Sequence, residues 1–181
     1  MTNHMTNQQN ASSAGAAANG HIAVVGGGSI GVAFAVVFAQ AGMQVSVFEP
    51  AEQRRTAIPQ EIRERGELLQ KHDLFDGDID ALVERVTTTG RLEEAVAGAA
   101  LVQECIPEKL EMKRSLFSEL AQLISEDCVV CSSTSFIPTS KSAAGTGIEE
   151  QTLVAHPGNP PYAIPVIELV PSPATSTASV E

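Results

Sequence analysis

Four side chains in the second half of the chain have the types and spacing of an alcohol-oxidising centre. His156 follows an apolar run and begins the loop His156-Pro157-Gly158-Asn159-Pro160-Pro161. An imidazole there suits a general base, because its pKa lies near the working pH, and loops on a rigid scaffold often carry such groups. Glu168 is the one ionisable residue in the apolar strand pattern Val166-Ile167-Glu168-Leu169-Val170, and a carboxylate in that setting needs a partner. If residues 157–165 fold back, Glu168 reaches His156, fixes its tautomer and stabilises the imidazolium. Ser135 and Asn159 then supply hydrogen bonds to a substrate oxygen. The chemistry would be removal of a hydroxyl proton while a hydride leaves the carbon. The plainer alternative is a solvated strand-end histidine and an edge-strand glutamate.

A hydride needs an acceptor. Gly26-Gly27-Gly28-Ser29-Ile30-Gly31 matches G-x-G-x-x-G. Gly26 permits a tight turn off a strand, Gly28 lets the backbone approach a pyrophosphate, and Gly31 lets the next helix pack on the sheet. Ser29 and Ile30 open that helix, whose free amides and dipole favour an anion. Glu49 lies 21 residues after Gly28, at the end of the second strand, where a carboxylate binds the adenosine ribose hydroxyls and repels a 2′-phosphate. The cofactor expected is NAD rather than NADP, with Arg54 and Arg55 nearby weighing the other way. The alternative is a glycine turn in an ordinary α/β domain, with Glu49 merely solvated.

These groups need elements to hold them. His21 to Val25 reads as a strand, Ser29 to Ala41 as a helix apolar on nearly every face, and Val45 to Phe48 as a second strand. That is a βαβ unit with two parallel strands. Arg54 to His72 reads as a charged amphipathic helix with Glu61–Arg65 and Glu67–Lys71 at i,i+4, and Pro59 is expected to begin or kink it. Strands follow at 86–89, 99–105, 129–131, 153–155 and 166–170. A short helix is expected at 92–97, and another opens at Pro107 with Leu110, Leu116, Leu120 and Leu123 on its apolar face. The alternation predicts an α/β, Rossmann-type fold: a mainly parallel sheet with helices on both faces. Residues 1–20 read as a disordered lead-in, 21–171 as the nucleotide-binding domain, and 172–181 as the start of a Pro/Ser/Thr-rich linker.

Composition excludes several classes. Eleven Lys and Arg against 22 Asp and Glu give a net charge of −11, which repels nucleic acid and anionic lipid. The run from Ile22 to Phe48 is uncharged, but Gly26, Gly27, Gly28 and Gly42 break it, so no membrane span is expected. Residues 1–20 hold no Lys or Arg and form no signal peptide. Three cysteines close no disulfide framework, which points to a reducing compartment, the cytoplasm. Cys128 and Cys131 form a C-x-x-C within a strand pattern. No second pair accompanies it, so buried structural thiols are expected and no metal.

The segments IAVVGGGSIG (22–31), VQECIPEKLEMKRSLF (102–117), SSTS (132–135) and VAHPGNPPYAIPVIELVPSP (154–173) resemble the NAD-binding domain of the 3-hydroxyacyl-CoA dehydrogenase superfamily. Within it they look most like the lambda-crystallin/L-gulonate 3-dehydrogenase branch. The resemblance implies that His156 is the catalytic base and Glu168 its acidic partner. It implies that Ser135 contacts the substrate hydroxyl, that Asn159 is the asparagine of H-x-x-N, and that Glu104 lies beside the nicotinamide. Lys109 and Lys113 carry no implied role. Gly158 and Pro59 depart from the family pattern. The implied activity is NAD-dependent oxidation of the 3-hydroxyl of a small-molecule 3-hydroxy acid such as L-gulonate. A 3-hydroxyacyl-CoA substrate, or a non-catalytic NAD-binding role, are the alternatives. The family continues into an all-helical C-terminal domain through which full-length members form homodimers. Its absence here implies a fragment or truncated frame, weakly active or inactive alone.

Overall fold

In the computed structural model, which describes residues 20–181, the uncharged run becomes the centre of a parallel sheet. β1 (His21–Val25) is buried along all but its first residue. Strands covered on both faces carry continuous apolar runs rather than alternation. Ala23 and Val25 point into one core and Val24 into the other. α1 (Ser29–Gln40) is buried from Gly31 to Val36 and at Ala39, and its alanines let it lie close to the sheet. β2 (Val45–Phe48) returns parallel to β1, with Val24 opposite Val47.

The chain continues as α2 (Glu52–Lys71), α3 (Ile79–Glu84), β3 (Val86–Thr89), α4 (Leu92–Val96), β4 (Ala99–Glu104) and α5 (Leu110–Leu120). Then come β5 (Val129–Ser132), α6 (Thr139–Ser142), β6 (Thr152–Pro157), β7 (Ile167–Pro171) and α7 (Thr177–Val180). The sheet order is β3-β2-β1-β4-β5-β6-β7. The first six strands are parallel and β7 runs antiparallel to β6. α1, α2 and α3 cover one face, α4 and α5 the other. The fold is the doubly wound, Rossmann-type architecture expected.

Several local expectations are corrected. Pro59 does not begin α2 but sits inside it. A mid-helix proline costs ~3 kcal/mol. Here Ile58 and Ile62 are fully buried on either side, each contributing ~1.5–3 kcal/mol, and the Arg54–Glu61 ion pair spans the proline. Pro107 lies three residues before α5 rather than in its first turn. β6 extends through His156 to Pro157, so His156 stands within a strand. α3 was not anticipated; Asp78 caps it by accepting from the amides of Asp80 and Ala81.

The stretch read as linker is docked: Thr175 Oγ1 donates to the Thr152 carbonyl at 2.6 Å and the Ser176 amide to the Glu150 carbonyl at 2.8 Å. Its Ser and Thr side chains supply the backbone with partners that apolar residues would not. The expected lead-in, Gly20 apart, lies outside the described residues. No helix among the described residues is long and apolar enough to cross a membrane.

α1 lies tightly against the turn that leaves β1. A Cβ on Gly31 would stand 1.8 Å from the Gly26 carbonyl oxygen. Gly31→Ala should therefore lower stability by at least ~3 kcal/mol, the upper range for overpacking, or about 6–12 °C in Tm for a chain this size. A calorimetric scan showing a shift below about 2 °C would contradict the packing described.

Candidate active site

The sheet's connections run outward from β1 to β3 on one side and from β4 to β7 on the other. Ligands of open α/β sheets bind at such a reversal, beyond the carboxyl ends of the strands. There a cavity of about 720 Å³ opens, lined by the glycine turn, by Phe48, Glu49 and Pro50, and by Cys105, Ile106 and Pro107. Gly26 has φ +107°, a conformation L side chains rarely adopt. A Cβ on Gly28, by contrast, would meet nothing within 4 Å. Gly28 needs no unusual φ, so what its missing side chain leaves is room. It caps α1 without a side chain, and the first turn of α1 carries no acidic residue. The amides of Ser29 and Ile30 have no intrahelical partner and face that room. The turn, with Gly31 holding α1 against the sheet, fits a pyrophosphate.

Glu49 is turned back onto the turn. Its carboxylate accepts from the Gly27 amide at 3.0 Å and the Ala51 amide at 2.9 Å. The two arginines weighed against NAD selectivity are also engaged within the domain. Arg54 forms a bidentate pair with Glu61, and Arg55 donates to the Glu49 carbonyl at 2.8 Å.

A second cavity of about 290 Å³ lies farther along the sheet, lined by Ser135, Phe136, Ile137, Val154, His156, Glu168 and Val170 among others. β7 folds back so that Glu168 stands directly opposite His156 in the ladder. His156 Nδ1 lies 3.6 Å from Glu168 Oε2, and Nε2 lies 3.3 Å from Ser135 Oγ. The imidazole is thus bracketed by a carboxylate and a hydroxyl. It is 38% exposed and Glu168 69%. Both contacts are long, as catalytic contacts often are without substrate. Asn159 stands exposed on the loop between β6 and β7 and makes no side-chain hydrogen bond among the described residues.

Glu104 has no free surface. Its carboxylate accepts from Lys113 Nζ at 2.7 Å on each oxygen, from Ser132 Oγ at 2.5 Å and from the Ile106 amide at 2.8 Å. It sits behind the wall formed by Cys105 and Ile106. Lys113 is equally buried and also lies 3.2 Å from Glu108. Glu108 accepts from the Thr134 hydroxyl and from the amides of Phe136 and Ile137 at 3.4 and 3.3 Å. Partial burial works against its charge, but Thr134 and Lys113 prevail and hold its carboxyl below the usual range.

Sequence reasoning gave Lys113 no role and missed Glu108. The signal for Lys113 was legible: it falls three residues from Leu110 and three from Leu116, in the apolar stripe of α5, where a charge must find a partner. For Glu108 no spacing rule exists, since its hydrogen-bond donors Thr134, Phe136 and Ile137 lie 26–29 residues away. The three thiols are free. Burial pushes Cys105 and Cys131 up to about 12 and Cys128 up to about 11, so they are protonated and unreactive at neutral pH.

Comparison with known proteins matches residues 21–181 to the family described as 3-hydroxyacyl-CoA dehydrogenase, NAD binding domain. A lambda-crystallin homolog of Bos taurus is 40% identical, covering 93% of this chain and 53% of that protein. An L-carnitine dehydrogenase of Streptomyces griseus is 36% identical, covering 88% of this chain and 47% of that protein. Among solved structures, M. tuberculosis FadB2 superposes with a TM-score of 0.82 at 34% identity, over 88% of this chain and 56% of that one. The 3-hydroxybutyryl-CoA dehydrogenase of Escherichia coli gives 0.81 at 27% identity, over 89% of this chain and 34% of that one. The chain spans about half the length of the curated relatives it matches.

The buried pair gives a direct test of the site's framework. Lys113→Met leaves the buried Glu104 without its counter-charge and should cost ~3–5 kcal/mol in urea unfolding. Glu104→Leu combined with Lys113→Met should recover most of that loss, because two matched apolar groups replace two matched charges. A single-variant cost below about 1 kcal/mol would mean the pair does not hold the site together.

Proposed function

The chain belongs to the 3-hydroxyacyl-CoA dehydrogenase family through its NAD-binding domain, and on that premise we propose that it serves NAD-dependent oxidation of the 3-hydroxyl of a 3-hydroxy acid, with His156 as general base. The observation that carries this reading is the line Ser135–His156–Glu168, with contacts of 3.3 and 3.6 Å. NAD, when bound, accepts the hydride from the substrate carbon. The turn from Gly26 to Gly31 would hold the cofactor, its backbone amides and those opening α1 serving the pyrophosphate and Glu49 the adenosine ribose. Glu104 contributes from beneath, by fixing the strand end that forms the nicotinamide side of the groove.

The tautomer that serves the reaction carries its proton on Nδ1, facing Glu168, and leaves the Nε2 lone pair toward Ser135 and the substrate. The substrate hydroxyl then donates to Nε2, and Ser135 Oγ turns to donate to the substrate oxygen. As the proton moves to Nε2, the imidazole becomes cationic and Glu168 stabilises it. Asn159, on the adjoining loop, offers an amide to the substrate.

A free 3-hydroxy acid of the L-gulonate type is supported by the lambda-crystallin relatives and by the L-carnitine dehydrogenase relative, since carnitine is itself a free 3-hydroxy acid. The acidic chain, at −11, offers little to the phosphates of CoA. A 3-hydroxyacyl thioester is favoured instead by Phe136, Ile137, Val154 and Val170 around the His156 cavity, which suit an acyl tail better than a row of hydroxyls. NADH formation from free 3-hydroxy acids beside their CoA thioesters separates the two.

Two outcomes test the mechanism, in the chain and in a version extended to the relatives' length. His156→Gln should lower turnover by ~10²–10⁴-fold and leave NAD affinity nearly unchanged, since the base acts on the substrate; undiminished turnover removes His156 from the mechanism. Calorimetry should show NAD binding more tightly than NADP, and equal affinities would end the assignment of Glu49 as the selecting group.

A further inference from the structure

Behind the glycine turn, α2 presents Arg54, Glu61 and Arg65 along one flank, beside the buried Ile58 and Ile62. Glu61 gathers both arginines. Arg54 pairs with it through both terminal nitrogens, one at 2.9 Å, and Arg65 lies 3.7 Å away. Each arginine also reaches the turn. Arg54 Nε donates to the Gly27 carbonyl at 2.6 Å, and Arg65 Nη1 donates to the Ser29 carbonyl at 3.1 Å. The guanidinium of Arg65 further lies 5.5 Å from the ring centre of Tyr162, which packs against the core beside α1 and α2. Tyr162 belongs to the loop that carries Asn159.

We propose that Arg54, Glu61 and Arg65 form a clamp of positioning residues, which aims the amides of the glycine turn at the cofactor pyrophosphate and ties the Asn159 loop to that turn. The argument rests on the planarity of the peptide. A carbonyl and the following amide belong to one rigid unit and point in opposite directions. The Gly27 carbonyl shares its unit with the Gly28 amide, and the Ser29 carbonyl with the Ile30 amide. Holding the two carbonyls from behind therefore fixes the two amides in front, and a cation on the carbonyl strengthens the amide as a donor. Three consecutive glycines have little conformational preference of their own, so ordering them before the ligand arrives removes a cost from binding. Arginine suits the task because its rigid fork holds a carboxylate with two nitrogens while the third serves a carbonyl. Glu61 keeps both forks facing the turn.

A looser electrostatic account makes opposite predictions. If the arginines acted only as charges near the pyrophosphate, Glu61→Gln would unmask two cations and raise affinity. Arg54→Lys, which keeps the charge, would change nothing. As a clamp, both variants should lower the affinity for NAD and for ADP-ribose about tenfold, the effect of one lost charge-assisted hydrogen bond. Binding of adenosine, which lacks the pyrophosphate, should stay within about twofold by the same measure.

The proposal rests on this domain binding NAD, so calorimetry begins with the unaltered protein. Failure there overturns the cofactor reading, whereas the variant-to-parent ratio tests the clamp alone. Thermal midpoints measured alongside separate a folding loss, which would weaken adenosine equally. Tyr162 is the single tyrosine and there is no tryptophan, so emission corrected for adenine absorption reports the Arg65 contact. ADP-ribose should change it in the parent and leave it unchanged in Glu61→Gln. Increased affinity in Glu61→Gln, unaltered affinity in Arg54→Lys, equal losses for adenosine, or a Tyr162 signal blind to ADP-ribose would each overturn the proposal.

Discussion

One buried ion pair fixes the relation between the two cavities. Glu104 and Lys113 are almost wholly removed from water, and each would be costly without the other. Glu104 closes β4, Lys113 belongs to α5, Ser132 closes β5, and Glu108 lies between β4 and α5. Against a well-packed apolar pair such an arrangement adds little net stability. Its effect lies in where it fixes the chain. The segment from Cys105 to Pro107 walls the cofactor groove, while Glu108 holds the loop from Thr134 to Ile137 that walls the other cavity. A substrate carbon and a nicotinamide ring must meet within about 3–3.5 Å, and that distance is set by how these two walls stand to each other.

The sequence carried most of this where the deciding interactions are local. The glycine turn, α1 and β2 lie within 28 residues (21–48), and each boundary follows from a residue type. The pairing of His156 with Glu168 was also accessible, because only a short loop separates them and an acid in an apolar strand demands a partner. What stayed hidden depends on distant contacts. Pro59 is tolerated because buried isoleucines and an ion pair outweigh a local preference. Glu108 acquires its role from a loop in another strand connection. The docking of residues 172–180 relies on carbonyls at Glu150 and Thr152, which no reading of the tail alone reveals.

The resemblance and the geometry differ in what they explain about Glu104. Family likeness assigned it a position beside the nicotinamide, and its neighbours do line the groove. Its own carboxylate is consumed by a lysine, a serine and an amide, leaving it little capacity for a ligand. A carboxylate this satisfied acts as a fixed post. Glu108, the next carboxylate along the chain, is only partly covered and is spent on Lys113 and on the loop that carries Ser135, so the carboxylate that lines the His156 cavity is Glu168.

The proposed catalytic line differs from this post in the medium around it. With His156 at 38% and Glu168 at 69% exposure, water screens their attraction. A charge pair at 4 Å is worth ~1 kcal/mol in water and ~4 kcal/mol at the effective dielectric of a partly covered site. The same residues at the same distances therefore stabilise an imidazolium far better once a surface covers them. The rim is suited to covering, since Phe136 and Val170, which line it, are exposed and apolar, and clustered exposure of that kind marks surfaces used in contact. The pairing of His156 with Glu168 is written into β6 and β7, but the strength of the proposed proton transfer depends on what excludes water from them.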